Sequence, residues 1–168
     1  DRVVELTIKH FYDGPLGSAV TLADNYPNHS VVTKFVKDRL EIGQPDSIQV
    51  AEQLIRAGNE ALVQPALVAS VKLMGQKIEA TSQDVNAAAY LIINRGSERD
   101  FRALIGALRQ SQKSNRARYK KLWESFAYQK NKRAVPLIGI VINDHYLVIK
   151  DRDFRYCDAA AAALETLT

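Results

Sequence analysis

The sequence predicts an α+β protein, a helix-rich bundle capped by a small antiparallel sheet. Three observations lead there. Apolar residues recur at the 3.6-residue helical period through most of positions 30–129. Near the N-terminus, Val4, Leu6 and Ile8 alternate with Glu5, Thr7 and Lys9, the period-2 pattern of a half-buried strand over Arg2 to Phe11. Val135 to Ile142 is apolar on both faces, as an internal strand is, and Asn143-Asp144 offers a tight turn into a second strand from His145 to Lys150. The expected sheet therefore unites residues 2–11 with a hairpin over 135–150, against a helical core of about 30–129.

A chain of 168 residues has the usual size of one domain, so one core across 1–168 is the expectation. With 46% apolar and 25% charged residues, the composition is too apolar for a disordered chain. The longest apolar runs, Ala87 to Ile93 and Val135 to Ile142, fall far short of the ~20 residues that span a bilayer. Cys157 is the only cysteine, which excludes an intramolecular disulfide and a CxxC pair and fits a reducing compartment such as the cytoplasm. The sequence opens at Asp1 without Met, which points to a processed form or a fragment.

The helices follow in order. Asp13, Gly14, Pro15 and Gly17 and then the turn-prone cluster around Pro27 mark a loop, after which a helix runs from Ser30 to Leu40 with Val32, Phe35, Val36 and Leu40 inward. Asp46 or Ser47 caps a second helix built on Ile48, Ala51, Leu54, Ile55, Gly58 and Leu62. Beyond Pro65, Leu67, Val71, Met74 and Ile78 form a third stripe that stops near Glu79. Ser82 caps the next helix. There Val85, Ala88, Ala89 and Ile92 share a face while Leu91 and Ile93 point elsewhere, so it is expected to be buried nearly all round. Asp158 caps a last helix through Ala159 to Leu167.

Charge is distributed unevenly along the chain. Between Arg102 and Arg133 stand ten Lys or Arg and one acid, Glu124, a local charge of +9 in a protein of net +4, which leaves −5 for the remainder. In the same region Phe101, Leu104, Ile105 and Leu108 form a stripe that Tyr119, Leu122, Trp123 and Phe126 repeat 18 residues later. Eighteen residues is five turns, so one helix over Glu98 to Gln129 keeps both stripes in phase, with a polar stretch from Gln110 to Asn115 where it can kink. On such a helix Arg102, Arg109, Lys113, Arg116 and Lys120 fall within about 60°, beside the apolar stripe.

A row of cations suits a phosphate backbone, because each phosphate neutralised releases condensed counterion without reading sequence. The functional expectation is a non-enzymatic binding or assembly protein that engages RNA or DNA through this helix. Lys130, Lys132 and Arg133 would extend the surface, and Tyr119, Trp123 or Tyr128 would stack on bases if exposed. The competing reading has the cations solvate an outward face and the aromatics fill the core. The same row also suits an acidic protein surface or a second copy of the chain.

A different class is a small metal-independent nuclease or toxin-like enzyme centred on His145, Arg155 and Tyr156, with Arg152 nearby, since His can move protons while cations hold the developing phosphate charge. Asp144, Asp151, Asp153 and Asp158 could hold Mg²⁺, though such clusters more often cap turns and helices. His10, His29 and His145 lie at no metal-ligand spacing, and Cys157 reads as a small buried apolar residue rather than a nucleophile. The eight glycines never form GxGxxG or GxxxxGK[ST], and Pro45-Asp46 opens no complete PD-(D/E)xK motif. No cofactor and no metal are expected.

Overall fold

The computed structural model describes residues 25–75, 80–114, 131–142, 147–149 and 154–165, together with 2, 4, 6, 8, 120, 122 and 123. Helix α1 (Ser30–Ile42) begins where His29 is extended and its imidazole Nδ1 accepts the Val31 N–H at 3.3 Å, satisfying a first-turn donor. Val32, Val36 and Leu40 are buried one turn apart. Gly43 ends the helix at φ 84°, a left-handed conformation that lets the Gln44 N–H return to the Arg39 carbonyl. Helix α2 (Asp46–Arg56) follows at once, and its first-turn Asp46 forms an ion pair with Arg39 at 2.9 Å. Ile48, Val50, Ala51, Leu54 and Ile55 are its buried apolar side chains, and Ser47 is buried beside them.

A short 3₁₀ turn, Glu60–Leu62, leads into α3 (Val63–Gly75), where Pro65 sits in the first turn and its missing N–H costs no intrahelical bond. Just before that turn, Asn59 is only 2% exposed, and its Nδ2 donates to the Pro27 carbonyl at 2.6 Å and to Thr33 Oγ1 at 2.8 Å. One amide thus ties the segment before α1, α1 itself and the α2–α3 junction. Asn59→Ala leaves two part-buried acceptors without their donor and is expected to cost about 1–3 kcal/mol. A urea midpoint equal to the parent's would show that the tie contributes nothing.

Burial also marks one acid on α2. Desolvation pushes the Glu52 carboxyl above its ordinary value, and its ion pair with Arg56 offsets this only in part. The Arg56 guanidinium in turn lies 3.9 Å from the Tyr90 ring centroid. A raised folded-state value means that the native protein holds this proton more tightly than the unfolded chain does. Stability is therefore gained as pH falls from neutral toward the ordinary carboxylate range and lost as pH rises through the raised value. Glu52→Gln cannot titrate, so its stability relative to the parent should be more favourable at pH 7 than at pH 5. Parallel thermal melts with the same offset at both pH values would contradict this.

Helix α4 (Ser82–Arg95) is the centre of the bundle. Its cap is Thr81, one residue before the Ser82 expected, in a capping box: Thr81 Oγ1 accepts the Asp84 N–H at 3.2 Å and Asp84 Oδ2 accepts the Thr81 N–H at 2.8 Å. Val85, Ala87, Ala88, Ala89, Leu91, Ile92 and Ile93 are all buried, more than one helix face, because α2, α3 and α5 surround it. Helix α5 (Glu98–Ser114) starts after Gly96, where an added Cβ would meet the Ile92 carbonyl oxygen at 2.6 Å. Ser97 and Asp100 repeat the reciprocal capping contacts.

The fold is all-α, and the α+β expectation is overturned at both ends of the chain. Arg2, Val4, Leu6 and Ile8 are helical, not extended. The alternation that suggested a strand also contains an i, i+4 pair, and it is Val4 and Ile8 that pack on the core while Leu6 is 47% exposed. Val135–Val141 is helix α6 rather than a strand. Pro136 presets the first-turn φ, and Leu137, Ile138 and Val141 form one buried face while Val135, Pro136, Gly139 and Ile142 are exposed. The apolar run was thus two-faced in composition but one-faced in burial.

The expected turn at Asn143-Asp144 lies outside the described residues. Leu147–Ile149 (β1) pairs antiparallel with Phe154–Arg155 (β2), Leu147 opposite Arg155 and Ile149 opposite Phe154, a ribbon too short to form a layer. Helix α7 (Tyr156–Glu165) then packs on α6, beginning two residues before Asp158. The described helices share one apolar cluster, reaching from Val4 to Ala163.

Candidate nucleic-acid interface

Helix α5 turns Phe101, Leu104, Ala107, Leu108 and Ser111 into the protein. That face is rotated toward Ala107 and Ser111 relative to the stripe read from the larger side chains alone. As a result Arg102, Arg109 and Lys113, all exposed, stand nearly opposite the core rather than beside it. Arg99, which the count from Arg102 onward left out, is exposed on the same side.

The three cations differ in what holds them. Arg102 Nε lies 3.4 Å from Glu98 Oε1, one turn back, in a pair whose side chains are 76% and 66% exposed. Such a pair contributes little to stability. Arg109 and Lys113 make no hydrogen bond or ion pair among the described residues. Both border an open groove of about 510 Å³ between α5 and α6, with Pro136, Gly139 and Ile140 on its far side. The sequence reading missed these α6 residues because it placed them inside a sheet. The signal was present in Pro136, which suits the first turn of a helix.

Other expected contact residues are dispersed. Lys120 is helical and exposed, and Lys132 is exposed in the 3₁₀ turn Lys132–Ala134 that precedes α6. Arg116 and Lys130 lie outside the described residues, as do Tyr119 and Tyr128. Leu122 and Trp123 are helical and buried, Trp123 at 5% exposure, so Trp123 belongs to the core. Continuity of one helix across residues 115–119 also falls outside the described residues.

Arg133 is engaged within the protein. Its guanidinium donates to the Gly96 carbonyl at 2.6 Å and the Ile93 carbonyl at 3.3 Å and stands 5.0 Å from the Phe101 ring centroid. Beside it, Asn131 Nδ2 donates to Asn94 Oδ1 at 2.9 Å, and Asn94 Nδ2 to the Tyr90 carbonyl. These side chains clasp the C-terminal end of α4, where helix carbonyls lack intrahelical donors.

For the hydrolytic alternative, Arg155 ends β2 and Tyr156 begins α7, while His145 and Arg152 lie outside the described residues. Asp158 stands in the first turn of α7, with Cys157 Sγ 3.7 Å from its Oδ1, and Asp144, Asp151 and Asp153 lie outside the described residues. His29 caps α1, and His10 lies outside the described residues. Among the described residues no three His, Cys, Asp or Glu side chains gather as a metal site.

Fold and surface together define an all-α bundle with a cation-lined interhelical groove. No protein-family model, curated protein or solved structure matches the chain. No described helix is long and apolar enough to cross a membrane.

Proposed function

We propose that this protein is a non-enzymatic binding or assembly protein that engages nucleic acid through the exposed basic face of α5. One observation carries the reading: Arg109 and Lys113 stand one turn apart, exposed and without a hydrogen-bond or ion-pair partner among the described residues, on the rim of the α5–α6 groove. Long cationic side chains that no described acid pairs with are open to an external polyanion. Arg102 continues the row about two turns toward the N-terminal end, where Glu98 competes for it. Lys120 and Lys132, both exposed, are further candidate cations. A reducing, cytoplasmic setting fits the single cysteine.

Binding of this kind is electrostatic at base. Anisotropy of labelled oligonucleotides, titrated at about 50 and 200 mM salt, is expected to report an affinity that falls by an order of magnitude or more between the two conditions. An affinity indifferent to salt would overturn the proposal.

A further inference from the structure

The α5–α6 groove has two unlike walls. On α5 stand Arg109 and Lys113 with Gln112 between them, and on α6 stand Pro136, Gly139 and Ile140. The cations are separated by about 6 Å of helix rise, a step comparable with that between successive phosphates of one strand. The α6 wall carries no charge, and its apolar surface is open: Pro136 is exposed, Ile140 half-buried, and a Cβ placed on Gly139 would meet nothing within 4 Å.

We infer that this groove is a seat for single-stranded nucleic acid, with phosphates on the α5 wall and unpaired base faces against Pro136 and Ile140. A duplex turns its base faces inward onto one another and offers phosphates alone, which leaves the α6 wall without a partner. An unpaired strand presents both a charged and an apolar side, and a concave surface with one cationic and one apolar wall complements both at once. Gly139, with open space where a Cβ would stand, lets a base approach the α6 backbone. The inference rests on the basic-face reading above and narrows it to one ligand form.

The test uses the full chain with labelled oligo-dT, oligo-U and a duplex of equal length, at about 50 mM salt. Both single strands are expected to bind at least tenfold more tightly than the duplex. Gly139→Gln, which fills the groove from an open position, should weaken strand binding by about tenfold, the loss of roughly one base contact, and leave duplex binding unchanged. Ile140→Ala removes part of the apolar wall without adding bulk, and should weaken strand binding in the same sense even if the glycine variant melts early. Equal affinity for strand and duplex, with both variants binding as the parent does, would overturn the groove while the basic face still stands. Absence of binding to any of the three probes would overturn the basic face itself.

Discussion

Reversing two charges, Arg109→Glu with Lys113→Glu, is expected to reduce nucleic-acid affinity by about a hundredfold or more at moderate salt and to leave the fold intact. The expectation rests on an asymmetry between roles. Among the described residues neither side chain has a hydrogen-bond or ion-pair partner, and both are exposed, so their replacement removes no such bond. Surface changes of that kind usually stay within about 0.5 kcal/mol. Arg109→Ala with Lys113→Ala serves as the milder companion, since it removes the two charges without introducing acids.

Two lost phosphate contacts should lower the slope of log affinity against log salt by about 1.4 on single strands, since each contact releases about 0.7 counterion equivalents. The slope separates a direct contact from a general change in surface charge, which shifts affinity through steering alone. An unaltered slope, with affinity within twofold of the parent, would remove these residues from the interface.

The opposite outcome is expected at Arg133, although composition places it in the same basic run. Arg133→Ala should destabilise the protein by about 2–4 kcal/mol, because charged hydrogen bonds to the Gly96 and Ile93 carbonyls and the stack on Phe101 are lost together. For a chain of this length that corresponds to a melting temperature lower by roughly 5–15 °C. The carbonyls at the end of α4 are left without their donor, and the turn that precedes α6 loses its contact with Phe101 of α5. Arg133→Lys should recover only part of the loss, since an ammonium lacks the planar guanidinium that donates from Nη1 to both carbonyls while standing over the Phe101 ring. A melt of Arg133→Ala that superimposes on the parent's would show the clasp to be energetically idle. The pair of predictions thus divides one stretch of positive charge into a part that faces outward and a part that holds the fold.

The sequence by itself determined most of the helical core. The stripes of α1 to α5 are legible because burial on one side of a helix forces apolar residues to repeat every three to four positions, and the all-round burial of α4 follows from apolar residues at consecutive positions 87–93. The basic character of α5 was equally plain, since like charges on a helix count without knowledge of neighbours. What only the tertiary structure decided was the state of short apolar segments and the use of each charge. Period 2 over Val4, Leu6 and Ile8 also contains a helical pair, and a run as short as Val135 to Val141 fits strand or helix until its neighbours choose. Helix α6 was chosen by packing of Leu137, Ile138 and Val141 into the bundle, and that placement created the groove. Whether Arg133 meets a carbonyl and Arg109 meets solvent depends on contacts between residues 37 positions apart, and spacing along a chain carries no record of them.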